Sequence, residues 1–96
     1  EAALRTGQYR VGIRAEIESA VLALRDARER KRLAESAAED ARKAEAIARV
    51  RFASGIGTRL ELLDAQNTLT EAQTNAAGAG YDLRTARAEL ARAVGD

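Results

Sequence analysis

Few side chains in this sequence could do chemistry, and the best placed are two carboxylates. Glu61 and Asp64 stand three apart, which on a helix puts them on one face. Glu61 also has a local use. Thr58-Arg59-Leu60-Glu61 reads as a capping box, with Thr58 at the N-cap and Glu61 at N3. An acid so close to a helix N-terminus is stabilising in its own right. Asp64 lies beyond capping reach. The sequence holds no histidine and no cysteine, which excludes imidazole bases, thiol nucleophiles and zinc sites built on those ligands. No catalytic residue, cofactor or metal is expected, and the chain reads as something other than an enzyme.

The remaining charges are balanced: 16 basic against 15 acidic residues, net +1. Nucleic-acid modules show a clustered basic excess, whereas here arginine alternates with glutamate and aspartate. The densest run, Arg25 to Arg32, includes Asp26 and Glu29, and Asp26 precedes Arg30 in the favourable acid-before-base order. It reads as a solvated helix face, with a nucleic-acid or anionic-lipid patch as the lesser alternative. No apolar run approaches the roughly 18 residues of a membrane-spanning helix, and none of the segment is expected to be a signal peptide. The segment is therefore expected to bind no nucleic acid and to make no membrane contact. Because it starts at Glu1, without methionine, we expect a processed chain or a piece of a longer one.

The elements that carry these residues are helical. Of 96 residues, 23 are alanine, 14 arginine and 10 leucine, and none is proline, a composition of long helices or coiled coils. Leu62, Ala65, Leu69, Ala72, Ala76, Ala79, Leu83, Ala86, Leu90 and Ala93 follow strict 3-4 steps. That is a heptad seam, and its small residues allow close approach of two backbones. Upstream, Ile13, Ile17, Ala20, Leu24 and Ala27 begin the same spacing. Lys31, Ala34, Ala38, Ala41, Glu45, Ala48 and Phe52 continue it. A second stripe (Val21, Leu33, Ala37, Ala44, Ile47) widens the first helix's apolar face, as for a helix with neighbours on two sides.

Between the two runs lies Ala53-Ser54-Gly55-Ile56-Gly57-Thr58, where glycine permits a left-handed C′ residue. So short a link forces an antiparallel pair. The expected fold is all-α: one hairpin over residues 1–96, with a helix over about 3–53, a turn at 54–58 and a helix over about 59–94. Gly7 and Gly12 blur the start of the first helix, and an extension to Ala3 would give it an overhang. Gly78 and Gly80 flank seam residue Ala79, where close backbone packing is expected. With one thin, alanine-lined interface, such a hairpin should be marginal alone and ordered mainly by association.

The stretch from Phe52 to Gln66 (FASGIGTRLELLDAQ) resembles a signature of the outer-membrane efflux channels of the TolC type. That family carries an aromatic, two residues, a glycine, a short gap and then a hydrophobic-acid-hydrophobic-Leu-Asp-Ala run. Ala72, Tyr81 and the closing Ala93-Val94-Gly95 match further family positions, and Glu16-Ile17 and Ala20-Val21 look like the start of its long descending helix. The resemblance covers about Ile13 to Gly95 without a gap.

It implies a trimer whose protomers give β-strands to an outer-membrane barrel and long helices to a periplasmic tunnel. Each protomer has two related halves, and this chain looks like the helical hairpin of the second half, a fragment of an α-helical barrel. The turn would be the periplasmic tip that gates the entrance and docks a periplasmic adaptor (membrane fusion) protein, with an inner-membrane transporter supplying energy to a passive export conduit. By the same resemblance Glu61 and Asp64 occupy the acidic positions that ring the entrance, about six carboxylates in a trimer, as in cation-selective pores. Gly55, Ile56, Gly57 and Thr58 would form the adaptor-contact tip, although Ser54-Gly55-Ile56 stands where the family often has Val-Gly-Leu or Val-Gly-Thr. Ile56 could instead staple the second helix. Phe52 replaces a usual tyrosine and is read as packing at a seam position. Arg49, Arg51 and Arg59 surround the turn and could pair with acids of neighbouring helices. Against this stand a self-sufficient coiled-coil scaffold or oligomerisation hairpin, to which the acid-bearing run Leu60 to Ala65 would be of no use, and the adaptor hairpin of the same pumps, whose Arg-Leu tip pattern is missing.

Overall fold

The computed structural model describes residues 2–95, with side chains from Gly12 onward. It contains two helices, α1 from Ala2 to Ala53 and α2 from Arg59 to Gly95. With no proline to interrupt either, both run unbroken, and α1 passes through Gly7 and Gly12. They fold back on each other as an antiparallel hairpin of 80 × 15 × 14 Å. The helices have 52 and 37 residues. At about 1.5 Å per residue, α1 therefore overhangs its partner by some 22 Å. No helix among the described residues is long and apolar enough to cross a membrane.

The heptad spacing dictates what the arms bury. All ten seam positions of α2 are buried or half-buried. On α1 the same holds from Ile13 to Ala48, including the two polar members Lys31 and Glu45. The best-packed layer joins Leu24 and Ala27 to Leu83 and Ala86, with Leu90 against it, and Ala27 is only 1% exposed. Equal steps from that layer towards the turn place Ala41 opposite Leu69 and Ala48 opposite Leu62; between them Ala34 and Ala38 face Ala76 and Ala72, and the polar Lys31 and Glu45 face Ala79 and Ala65. Each leucine thus meets a small residue, so the backbones stay close and the side chains still fill the gap.

Polar groups on the seam are satisfied locally. Glu45, buried on the interface, accepts a hydrogen bond from the exposed Arg49 guanidinium, which carries the paired charge towards water. Lys31 Nζ lies 3.4 Å from Glu35. No buried polar side-chain atom lacks a partner among the described residues.

The second stripe is a different matter. Leu33 and Ile47 remain 53% and 61% exposed, because α2 covers only the seam. Gly78 and Gly80 also depart from expectation: a Cβ at either would meet nothing within 4 Å. Close packing at those glycines does not occur inside the hairpin, since they flank the seam without facing α1.

A candidate functional site at the hairpin tip

The tip is built by hydrogen bonds encoded within a dozen residues. At the end of α1 the Gly55 N–H donates to the Phe52 carbonyl (3.1 Å) and the Ile56 N–H to the Arg51 carbonyl (2.9 Å). This is a Schellman motif, with Gly55 as the left-handed C′ residue at φ 79°. The Gly57 N–H also donates to the Arg51 carbonyl, at 2.9 Å. Gly57 does not have positive φ. Its lack of a side chain matters for another reason: a Cβ there would lie 3.0 Å from the Arg51 Cβ and 3.1 Å from a Glu61 carboxylate oxygen, a tight fit. One glycine turns the chain and the other lets it pass.

The capping box then starts α2. The Glu61 N–H donates to Thr58 Oγ1 (3.1 Å), and the Thr58 N–H donates back to the Glu61 carboxylate (3.3 Å). Each group satisfies a donor that the helix start leaves open. Glu61 is thus a cap, while its carboxylate stays exposed to solvent. Asp64, one turn further on, is exposed and joins no hydrogen bond or ion pair among the described residues. No cluster of acids suited to a metal ion occurs among those residues. What the pair presents is negative charge at the mouth of the turn, one carboxylate fixed and one free.

Ile56 is 69% exposed at the apex, so it does not staple α2. Phe52 is 43% exposed; inside the hairpin the buried or half-buried seam positions of α1 stop at Ala48. Arg59 opens α2 on the surface, and neither it nor Arg51 forms an ion pair among the described residues. Arg49 is engaged with Glu45. Sequence reasoning missed the concentration of apolar surface here. Ile47, Val50, Phe52, Ile56, Leu60 and Leu63 are six of the ten large exposed hydrophobics among the described residues, all within one short stretch around the turn. The available signal was that all but Phe52 fall outside the 3-4 seam. Exposed apolar groups gathered this way mark a surface that another molecule covers.

Compared with known families, residues 1–96 match the model described as Outer membrane efflux protein. No curated protein and no solved structure matches the chain.

Proposed function

The chain belongs to the outer membrane efflux protein family, and from that premise we propose that it forms a periplasmic tunnel hairpin of a trimeric channel. In this reading the two helices are staves of an α-helical barrel, and the turn is the periplasmic tip. Glu61 and Asp64 of three protomers ring the entrance and hold cations there, and the free Asp64 carboxylate dominates that field. Gly55, Ile56, Gly57 and Thr58 form the surface that a periplasmic adaptor protein contacts, Ile56 supplying an apolar anchor at the apex. Phe52 packs against the neighbouring hairpin, and Arg59 pairs with an acid of that neighbour. An inner-membrane transporter drives export through a conduit that itself performs no catalysis.

The observation that carries this reading is the pairing of an exposed apolar apex with an acid-bearing first turn, in a chain matched along its length by the efflux family. The test is single-channel recording of the complete outer-membrane protein with Glu61→Gln and Asp64→Asn together. These changes remove charge and keep a side chain able to cap. Cation selectivity and block by multivalent cations should fall, Asp64→Asn alone giving most of the effect. Unchanged selectivity and block would exclude the acidic entrance.

A further inference from the structure

Five arginines of this chain answer an acid of their own helix: Arg14, Arg30, Arg32, Arg42 and Arg49 each form an ion pair three or four residues away. Arg25, Arg28, Arg84 and Arg87 are all exposed and form none among the described residues. Their neighbours explain why. Three and four positions from Arg28 stand Leu24, Arg25, Lys31 and Arg32. Arg84 has Gly80, Tyr81, Arg87 and Ala88 there, and Arg87 has Leu83, Arg84, Leu90 and Ala91. Only Arg25 has an acid at that spacing, Glu29, whose carboxylate already accepts two hydrogen bonds from Arg32. Where a helix favours opposite charges, this sequence sets like beside like, which destabilises it.

The fold then gathers the four. Each directly follows a buried residue of the best-packed layer: Arg25 follows Leu24, Arg28 Ala27, Arg84 Leu83 and Arg87 Ala86. In an antiparallel pair, residues that step off the seam in the same sense share one side of the hairpin. The other side is marked by a shallow groove lined by Glu16, Ala23 and Glu89, each of which precedes a seam residue. Each helix contributes its arginine pair within one turn, a rise of about 4.5 Å. The floor beneath them is the layer in which Ala27 is only 1% exposed.

We propose that this cluster binds a soluble anion bearing linked phosphate groups, the four guanidinium groups closing on one short oligophosphate. Arginine offers paired donors that match phosphate oxygens bidentately, and pairs on two helices suit a ligand with more than one phosphate. Bulk attraction plays little part, since the chain carries a net charge of only +1. The ligand is short, because an extended polyanion laid along this side would meet Glu18 before the cluster and Glu35 after it. It is free rather than a lipid headgroup. The exposed apolar neighbours Leu22 and Tyr81 lie on the outer faces of their helices, opposite the seam, so an acyl chain has no place to insert between the pairs. A bound anion relieves the like-charge repulsion and should stabilise the hairpin. The proposal rests on the arginines alone and holds whether or not the tip acids ring a channel entrance.

The test is titration of the 96-residue chain with inorganic tripolyphosphate, followed by calorimetry and by the thermal midpoint. Arg25→Gln with Arg28→Gln removes one helix's pair, and Arg84→Gln with Arg87→Gln removes the other. Arg30→Gln with Arg92→Gln takes the same charge from the opposite side. Tripolyphosphate should raise the midpoint and bind about tenfold or more tighter than monophosphate, as added charge-assisted hydrogen bonds require. Each cluster pair should weaken binding about tenfold, and the control pair less than about threefold, since its charges are distant and screened. Helix content by circular dichroism should not fall in the cluster variants, which lose only like-charge contacts. Arg28→Lys with Arg87→Lys keeps charge and fold, and should still weaken binding because lysine lacks the paired fork. An equal loss in the control pair, or tripolyphosphate binding no tighter than monophosphate, would overturn the proposal. So would binding confined to phosphatidic acid vesicles or to a single-stranded DNA oligonucleotide.

Discussion

The tip and the arms of this hairpin are stabilised in opposite ways. At the tip, the orphan donors and acceptors are satisfied by partners at most six residues away, through the Schellman bonds to Arg51 and Phe52 and the Thr58–Glu61 capping box. The arms depend on one seam, in which alanine supplies most of the small partners and, among the described residues, only Leu24 and Leu83 are large buried apolar residues. Local order at the tip needs no neighbour. The arms leave Leu33, Ile47, Leu63 and Tyr81 exposed, and one alanine-rich contact is a weak basis for fixing two helices of this length. The turn is self-contained, whereas the staves call for cover.

The largest effect should come from the seam. Leu83→Ala would remove the buried side chain at the centre of the best-packed layer and should cost about 2–3 kcal/mol, read as a fall in thermal midpoint at fixed protein concentration. A change below about 0.5 kcal/mol would mean that the seam is not what holds the arms. Next is Gly55→Val, which forces a β-branched residue into a left-handed conformation and should cost about 1–2 kcal/mol. Gly57→Ala belongs with it, because the added methyl would press on Arg51 and displace the capping carboxylate. Thr58→Ala should cost about 1 kcal/mol and speed hydrogen exchange at the Glu61 amide, while seam amides near Ala27 keep their protection. If exchange rose equally at both places, tip and arms would not be separable units.

The smallest effect is electrostatic and lies on the outer face of α1. Glu29 accepts two hydrogen bonds from the Arg32 guanidinium, which hold its carboxyl below the usual glutamate range. A carboxyl lowered in the folded state contributes stability above its unfolded pKa and loses it as pH falls through the folded value. Because Glu29 is fully exposed, acidification through that window should barely move the melt. Arg32→Ala should return the Glu29 titration, followed by NMR, to the ordinary range without a measurable change in midpoint.

Much of this was legible because the code is local or strictly periodic. The seam could be read residue by residue, since in a helix a 3-4 spacing maps directly onto one face. The capping box was legible for the same reason: its two partners are three residues apart. Phe52 shows the limit. It keeps the heptad spacing, yet the Schellman turn begins there and α2 starts only at Arg59, so the ring is left 43% exposed at the end of the seam. Sequence does not distinguish Gly55 from Gly57; in the fold the first has positive φ, and the second has little room for a side chain. For Gly78 and Gly80, their place beside seam residue Ala79 suggests close approach, but a Cβ at either would meet nothing within 4 Å. The acidic pair was legible too, Glu61 as the cap and Asp64 as beyond its reach, and the hydrogen bonds of Thr58 and Glu61 bear out the first.

The central claim is that the arms are completed by neighbours. It is tested most directly by following the thermal midpoint of the chain over about a hundredfold range of concentration, with the mass in solution measured by light scattering. Folding coupled to association makes the midpoint depend on concentration. The account predicts a midpoint that climbs with concentration and a mass above that of one chain. A monomer with a sharp, concentration-independent transition would contradict it.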